Sequence, residues 1–375
     1  MSDRIRIAVV GLGTVARAVH LPLLSRRTDL FDIAGVCDLS TAALATVGER
    51  FGVPARCRFN DLEQMLDGVE ADAVAVLTSG SHTATVLSVL DRGMAVLCEK
   101  PLATTRREAD AMAAAVGGRN DRLMLGYMKL YDPAVRRAAE LLAAGHTRAA
   151  DVTVLHPSGE AQLATSELGP GVFPLPPDLA ARARAAQRDL DAQALGDAAA
   201  ATLGPLYSQV LLGSVVHDLA VLRGLGIEIT TVDHAQRWPV HSVPGSLAFS
   251  GRTDGGVRVS LRWHYLRDYP VYRERVHCHQ ERGSVELEFP SPYVLRAPTV
   301  LHHVTASGDG AGTWRFESFV EAFEEQLLAF HRMVTTGAPP AAGVAEGRAD
   351  IVTCQRIAAR IAVGEGLAVT GEAAS

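Results

Sequence analysis

The sequence predicts an α/β fold whose first part is a doubly wound parallel sheet. Three observations point there. Short apolar runs alternate with helical stretches through about residue 130. The chain opens on a strand that enters a glycine turn and then a helical pattern, Ile5-Arg6-Ile7-Ala8-Val9-Val10-Gly11-Leu12-Gly13-Thr14-Val15-Ala16. A second apolar run, Phe31 to Cys37, ends in the acid Asp38.

Each element follows from its residues. Strand Ile5–Val10 leads into G-x-G-x-x-A, in which Gly11 allows a tight turn and Gly13 lets the backbone approach a pyrophosphate. Ala16 takes the place where a third glycine permits close packing of helix on strand. Thr14 and Val15 open that helix, whose unpaired N–H groups and positive dipole end suit an anion. Asp38 stands where a carboxylate accepts hydrogen bonds from ribose hydroxyls and repels a 2′-phosphate. No arginine follows it immediately, so NAD is expected ahead of NADP. The alternative is that Asp38 only caps the next helix together with Ser40. Further strands are expected at Ile33–Cys37, Ala73–Leu77, Ala95–Cys98 and Leu123–Gly126, with helices such as Val15–Leu24, Ala42–Phe51 and Thr83–Arg92 between them.

Beyond residue 130 the pattern changes, which predicts a nucleotide-binding domain over 1–130 and a second, α+β domain over 131–375. A helix, Ala134–Ala144, precedes a strand, Ala150–His156. Residues 157–205 are rich in Ala, Pro and Gly and read as a long insertion or lid with one helix at Leu179–Leu195. Gln209–Leu225 is helical, Glu228 to Thr305 alternates like antiparallel strands, and helices Phe316–Thr336 and Ala345–Gly364 close the chain around the turn Gly337-Ala338-Pro339-Pro340.

Bulk properties narrow the function. A chain of 375 residues exceeds what one hydrophobic core usually supports. With 36 basic against 42 acidic side chains, no nucleic-acid or anionic-membrane partner is expected. No apolar stretch reads as a bilayer span, and no apolar leader precedes the first strand. Five scattered cysteines suit a reducing cytoplasm and lack zinc spacing. His277-Cys278-His279 shares a strand face at alternate positions, yet no carboxylate or cysteine at complementary spacing completes a site, so no metal is expected.

Glu99-Lys100-Pro101 closes the strand Ala95–Cys98, where ligands of a doubly wound sheet bind. A lysine there can polarise a carbonyl or alcohol oxygen; the plainer reading is a surface lysine before a proline turn. The first-strand glycine motif, Glu99-Lys100-Pro101, the stretch Gly126-Tyr127-Met128-Lys129-Leu130-Tyr131-Asp132-Pro133, His82, and Glu346-Gly347 in the C-terminal helix together resemble the Gfo/Idh/MocA oxidoreductase family. The resemblance extends over most of the chain outside 157–205. It implies a Rossmann domain followed by an α+β domain with a large open, mostly antiparallel sheet. It also implies an NAD(P)-dependent dehydrogenase or reductase of a small polyol, sugar or cyclitol, and a homodimer or homotetramer built through the open sheet. By the same resemblance, Lys100 lies in the active site, often with a cis peptide before Pro101, and Ser79, His82 and Glu99 are candidate cofactor contacts; Ser79 stands where the family commonly has proline, and His82, like His20, has a structural role as its alternative reading. Lys129 and Tyr127 are candidate substrate contacts, and His217 takes the place of the family's acid/base histidine.

The inositol-dehydrogenase-like version of the family carries an aspartate one helical turn before that histidine; here Gly213 stands in its place. Residues four apart share a helix face, so charge support for His217 must come from elsewhere. Asp218 points about 100° away on a regular helix and pairs more naturally with Arg223. His217 as a simple packed histidine is the alternative. Trp263, His264 and Tyr265 could line a sugar pocket, core packing being the stronger reading for the tryptophan. A redox-neutral lyase or glycosidase, a 3-ketosugar reductase and a non-catalytic nucleotide sensor remain open beside the dehydrogenase.

Overall fold

The computed structural model describes residues 4–159, 162, 168, 173–239 and 244–375. It divides into two units. The first comprises Met1–Tyr127, Leu168–Leu190 and Gln326–Ala349; the second comprises Met128–Glu167, Asp191–Glu325 and Asp350–Ser375.

In the first unit, strands β1 (Ile5–Val10), β2 (Phe31–Cys37), β3 (Arg58–Phe59), β4 (Ala73–Val76), β5 (Ala95–Glu99) and β6 (Leu123–Gly126) form one parallel sheet in the order 3-2-1-4-5-6. The order reverses between β1 and β4, so the switch point opens where β1 runs into Gly11. The strands are largely apolar because both faces are covered; Ile7, Val9, Val74, Val76 and Leu97 are fully buried. Helices α1 (Leu21–Arg26), α2 (Thr41–Arg50), α3 (Leu62–Gly68), α4 (Thr83–Asp91) and α5 (Arg106–Val116) fill the crossovers. Ser40 caps α2 by accepting from the Ala43 N–H at 3.3 Å, and Thr105 and Glu108 form a reciprocal capping box on α5. Such caps contribute about 1 kcal/mol each.

This unit reaches past the expected boundary at residue 130. The peptide after the C-terminal Pro-Pro turn runs along β6, where the Leu125 N–H donates to the Ala342 carbonyl at 2.9 Å. Gly347 lies against Leu102 and Leu125, where a Cβ would meet Leu102 at 2.7 Å. His331 stands edge-on to Phe31, with ring centroids 5.8 Å apart, and Arg348 pairs with Asp110 at 2.6 Å. Late residues thus cover an edge and a face that the first 130 leave open.

The second unit is built on α6 (Pro133–Ala143) and an eight-stranded sheet. Its strands are β7 (Thr147–His156), β8 (Thr231–Trp238), β9 (Ser246–Arg252), β10 (Arg258–Tyr265), β11 (Arg273–Gln280), β12 (Gly283–Phe289), β13 (Val300–Ser307) and β14 (Gly310–Glu317). They run in the order 14-13-12-11-7-10-9-8, all antiparallel except the parallel pair β7–β10. Val152, Leu261, Trp263, Val276, Cys278 and Leu287 are buried on one face, while Asp151, Arg275, His277, His279 and Glu286 alternate with them on the other.

Three expectations change. Phe316 belongs to β14, opposite Leu301, and the helix that follows, α10 (Ala322–Thr336), starts later than residue 316. Over the described residues 177–205, the insertion carries the helices α7 (Pro177–Leu195) and α8 (Asp197–Pro205) in place of the expected Leu179–Leu195 alone, divided at Gly196, whose φ of 85° ends the first. From Asp197 the helical chain then continues through a π-helical stretch, Leu206–Val215, into α9 (Val216–Gly224). The resulting 28-residue helix is long and apolar enough by length and composition to cross a membrane. Its Leu203, Tyr207, Leu211, Val215 and Leu222 are buried within the second unit, the usage of a core helix. Helix α11 (Val344–Gly364) completes the chain's long helices.

Candidate functional site

The first unit holds a cavity of about 630 Å³ at the switch point. Gly11, Gly13, Thr14, Asp38 and Ser79 line it, together with Leu39, Thr78, Thr85 and residues around Asp61. Gly11 has φ of 93°, and a Cβ there would meet the Thr78 nitrogen at 2.7 Å. That close approach of β1 to the end of β4 requires glycine on both conformational and steric grounds. Gly13 has nothing within 4 Å of its missing Cβ, so the backbone is bare toward the cavity. A Cβ-free, N–H-rich turn at a helix start, facing an open cleft, fits a dinucleotide pyrophosphate.

Asp38 is tied into this turn. Its carboxylate accepts from the Leu12 N–H at 2.7 Å and from the Ser40 N–H at 2.7 Å, while Ser40 itself supplies the helix cap. Both sequence readings of Asp38 therefore meet: it organises the start of α2 and also presents a carboxylate to the cavity. Val15, His82, Glu99 and Lys100 lie outside the cavity lining.

Of these, His82 and Glu99 form a buried brace with His20 at the ends of β4 and β5. His82 has its two ring nitrogens 2.8 Å from the Thr78 and Pro101 carbonyls, linking the loops after the two strands. Glu99 lies 3.0 Å from His20 Nε2 and accepts from the Lys100 N–H. Burial alone raises the Glu99 carboxyl; the hydrogen bond to His20 and the charges of His20, Lys100 and His82 outweigh it and hold the acid below its usual range. The Lys100–Pro101 peptide is cis. The lysine is thus carried on a doubly tied turn.

Sequence reasoning missed Arg17. Its guanidinium lines the same cavity, donates from Nε to the Gly13 carbonyl at 3.3 Å and lies 5.0 Å from the Phe173 ring centre. Burial and the charge of Arg50 lower its pKa, while Asp38 opposes that shift. The only sequence signal was its place one turn after Gly13, which looked like ordinary helix surface.

In the second unit, His217 is half-buried on α9, just past the π-helical stretch. Gly213 lies inside that stretch, so the regular four-residue spacing used to relate it to His217 does not apply there. A Cβ at Gly213 would meet only the Ser208 carbonyl, at 3.6 Å, which is ordinary contact. The neighbouring Ser214 accepts a hydrogen bond from Trp263 Nε1 at 2.9 Å, fixing the π turn against β10. Trp263 is buried and packs on His156 and parallel to Tyr265, so its core role holds.

Beside it stands a buried ionic cluster. Lys129 Nζ donates to Glu274 at 2.6 Å and lies 4.8 Å from the Phe289 ring centre; Tyr272 also donates to Glu274. Asp218 completes the group. Burial first, and then the Glu274 charge, push its carboxyl well above the usual range. Burial likewise raises the Tyr272 phenol. Lys129 therefore has a protein carboxylate as its partner, and Tyr127 is a core side chain at 1% exposure. Arg223 pairs with Asp350, not with Asp218. His277 and His279 pair with Glu286 at 3.4 Å and Asp151 at 3.2 Å, carboxylates that neighbouring strands supply. Among the described residues, no group of three or more His, Cys, Asp or Glu is arranged to hold a metal ion.

Residues 5–127 match the sequence model of the Gfo/Idh/MocA oxidoreductases, described as an oxidoreductase family with an NAD-binding Rossmann fold. The match covers 123 of the 375 residues and coincides with the six-stranded parallel sheet. Inositol 2-dehydrogenase 3 of Saccharopolyspora erythraea is 33% identical over 143 residues, 38% of this chain and 41% of that protein. D-glucoside 3-dehydrogenase of Escherichia coli is 33% identical over 112 residues, 30% of this chain and 31% of that protein. The chain thus spans about two fifths or less of the length of these curated relatives. The fold of the whole chain is shared with solved structures. A UDP-N-acetylglucosamine 3-dehydrogenase from Acidithiobacillus ferrooxidans superposes with a TM-score of 0.70 at 17% identity, covering 96% of this chain and 98% of the other. A 3-ketoreductase from Actinomadura kijaniata, in complex with TDP-benzene and NADP, gives 0.70 at 18% identity over the same shares.

Proposed function

We propose that this protein is a dehydrogenase or reductase that moves a hydride between a nicotinamide dinucleotide and a secondary carbinol or ketone of a sugar, cyclitol or glycoside. The observation that carries the reading is the cavity at the strand-order switch, where the bare Gly11–Gly13 turn and the Asp38 carboxylate face one space. The inositol and glucoside dehydrogenases matched by sequence support the substrate class. Bound there, the dinucleotide supplies the acceptor or donor of hydride.

The chain's own residues divide the remaining work. Lys100, fixed by the buried Glu99–His20 pair and the turn at Pro101, polarises the substrate oxygen with its ammonium. His217 takes the hydroxyl proton during oxidation and returns it during reduction. Asp38 favours NAD: its carboxylate binds the ribose hydroxyls and repels a 2′-phosphate, and Arg17 balances the pyrophosphate charge from one turn away. Ser79 and Thr14 flank the phosphates. Tyr127 and Lys129 act on the substrate side indirectly, as parts of the core and of the Glu274 cluster.

We infer further that the chain assembles as a homodimer or homotetramer through the open face of the eight-stranded sheet, which light scattering tests; a monomer at all concentrations removes that reading. Five free cysteines support a cytoplasmic location.

The deciding experiment follows nicotinamide absorbance for the wild type and Lys100→Ala with NAD and NADP against a panel of sugars, cyclitols and their ketones. Turnover by the wild type and a loss of at least a hundredfold in the variant, with NADH affinity unchanged within threefold, is the expected result. Equal turnover in the two proteins would remove Lys100 from the mechanism. Substrate conversion without net NADH would favour a redox-neutral lyase or glycosidase instead.

A further inference from the structure

The 157–205 insertion is not confined to the second unit. Phe173, Leu175 and Ala183 line the dinucleotide cavity opposite the glycine turn, and their segment belongs to the first unit. Sequence resemblance stopped short of 157–205, so nothing in the shared motifs explains this placement.

The wall they face is the adenosine side. It includes Asp38 and Leu39 at the end of β2, and Asn60 and Asp61 just past β3, whereas Glu99 and Lys100 at the end of β5 are absent from the lining. In a doubly wound sheet the acid after the second strand marks the adenosine ribose. Leu39, beside that acid, is 55% exposed, and Leu175 is 36% exposed. Two large apolar side chains open to the same cavity present the surface that a flat, hydrophobic ring covers.

The segment is also moored. Phe173 lies against the Arg17 guanidinium, and Arg17 in turn bonds to the Gly13 carbonyl, so one end is tied to the phosphate turn itself. Further along, on α7, Gln187 Nε2 donates to Thr104 Oγ1 at 3.4 Å, which ties the helix to the loop after β5.

We propose that the inserted segment forms part of the nucleotide subsite: Phe173 and Leu175 cover the adenosine half of a bound dinucleotide and slow its release. This rests on the dinucleotide reading of the cavity given above. A purine bound at this wall packs against Leu39 and Leu175. Its departure then requires the Phe173–Arg17 contact to open. The nicotinamide half gains nothing from the segment, since Glu99 and Lys100 lie outside this cavity.

The test separates the two halves of the cofactor. NADH-loaded protein is mixed with excess NAD in a stopped-flow instrument, and release is followed by NADH fluorescence for the wild type, Leu175→Ser and the double variant Phe173→Ala/Leu175→Ala. Equilibrium affinities are measured for ADP-ribose and for reduced nicotinamide mononucleotide. Release at least tenfold faster in the double variant is expected, with ADP-ribose weakened about tenfold and the mononucleotide unchanged within twofold. Leu175→Ser, at a partly exposed site that leaves the core intact, should show an intermediate effect. Release rates equal within twofold in all three proteins, or equal weakening of the two half-cofactors, overturns the proposal. A wild type that binds neither NADH nor ADP-ribose defeats the dinucleotide reading itself, a distinct outcome from unaltered variants of a protein that binds both.

Discussion

At the scale of single residues, two kinds of position carry the site: those that need an unusual backbone and those that hold a charge away from water. Gly11 is of the first kind. Alanine there would combine a φ of 93° with a Cβ 2.7 Å from the Thr78 nitrogen, so Gly11→Ala is expected to lower stability by about 1–3 kcal/mol and to abolish NADH binding, read by thermal melting and fluorescence titration. Asp38→Ser tests the NAD preference: kcat/KM with NAD should fall at least tenfold, while the NADP-to-NAD ratio rises. Asp218 is of the second kind. Its folded-state pKa is raised by burial and by Glu274, so the native protein keeps a proton that the unfolded chain releases near pH 4. Stability therefore falls as pH rises from about 4 toward the raised value, by at most about 1.4 kcal/mol per pH unit for one proton. Asp218→Asn keeps the shape but removes the proton. The melting temperature of this variant should gain on the wild type steadily between pH 5 and pH 8; a constant difference would show that Asp218 is ionised in the fold.

At the scale of elements, the parts legible in the sequence were those whose signal is local. The strand-turn-helix at residues 5–16 and the acid after β2 follow from glycine geometry and from an apolar run of fixed length, and the cavity lies where they predict. The π-helical stretch at Leu206–Val215 was not legible, because its apolar spacing also suits an α-helix. Nor were Lys129–Glu274, separated by 145 residues, or Arg17–Phe173, since nothing in either segment announces its partner. The end of β14, Phe316 and Glu317, was read as helix because Phe316 and the apolar residues beyond it continue into α10. The π stretch offers its own test. Gly213 has room for a side chain, so Gly213→Asp should fold with a melting temperature close to the wild type. A loss of several degrees in melting temperature would instead show that the π turn depends on glycine.

At the scale of the whole molecule, the units are woven from alternating segments, three each. The expected division at residue 130 describes the sheet but not the unit, whose β6 edge is covered by the chain near Ala342 and whose helices meet Gly347 and Arg348. A chain ending at residue 130 should therefore lack a cooperative thermal transition and bind the dye ANS, whereas the full chain should not. The same weave sets an order of events during synthesis. The six strands of the first sheet leave the ribosome early, yet the residues that close its last edge emerge only after the whole second sheet has been made. For most of translation the nucleotide-binding half is an unfinished fold with an open β edge, and a nascent chain of this protein is exposed to edge pairing with its neighbours until the C-terminal helices arrive.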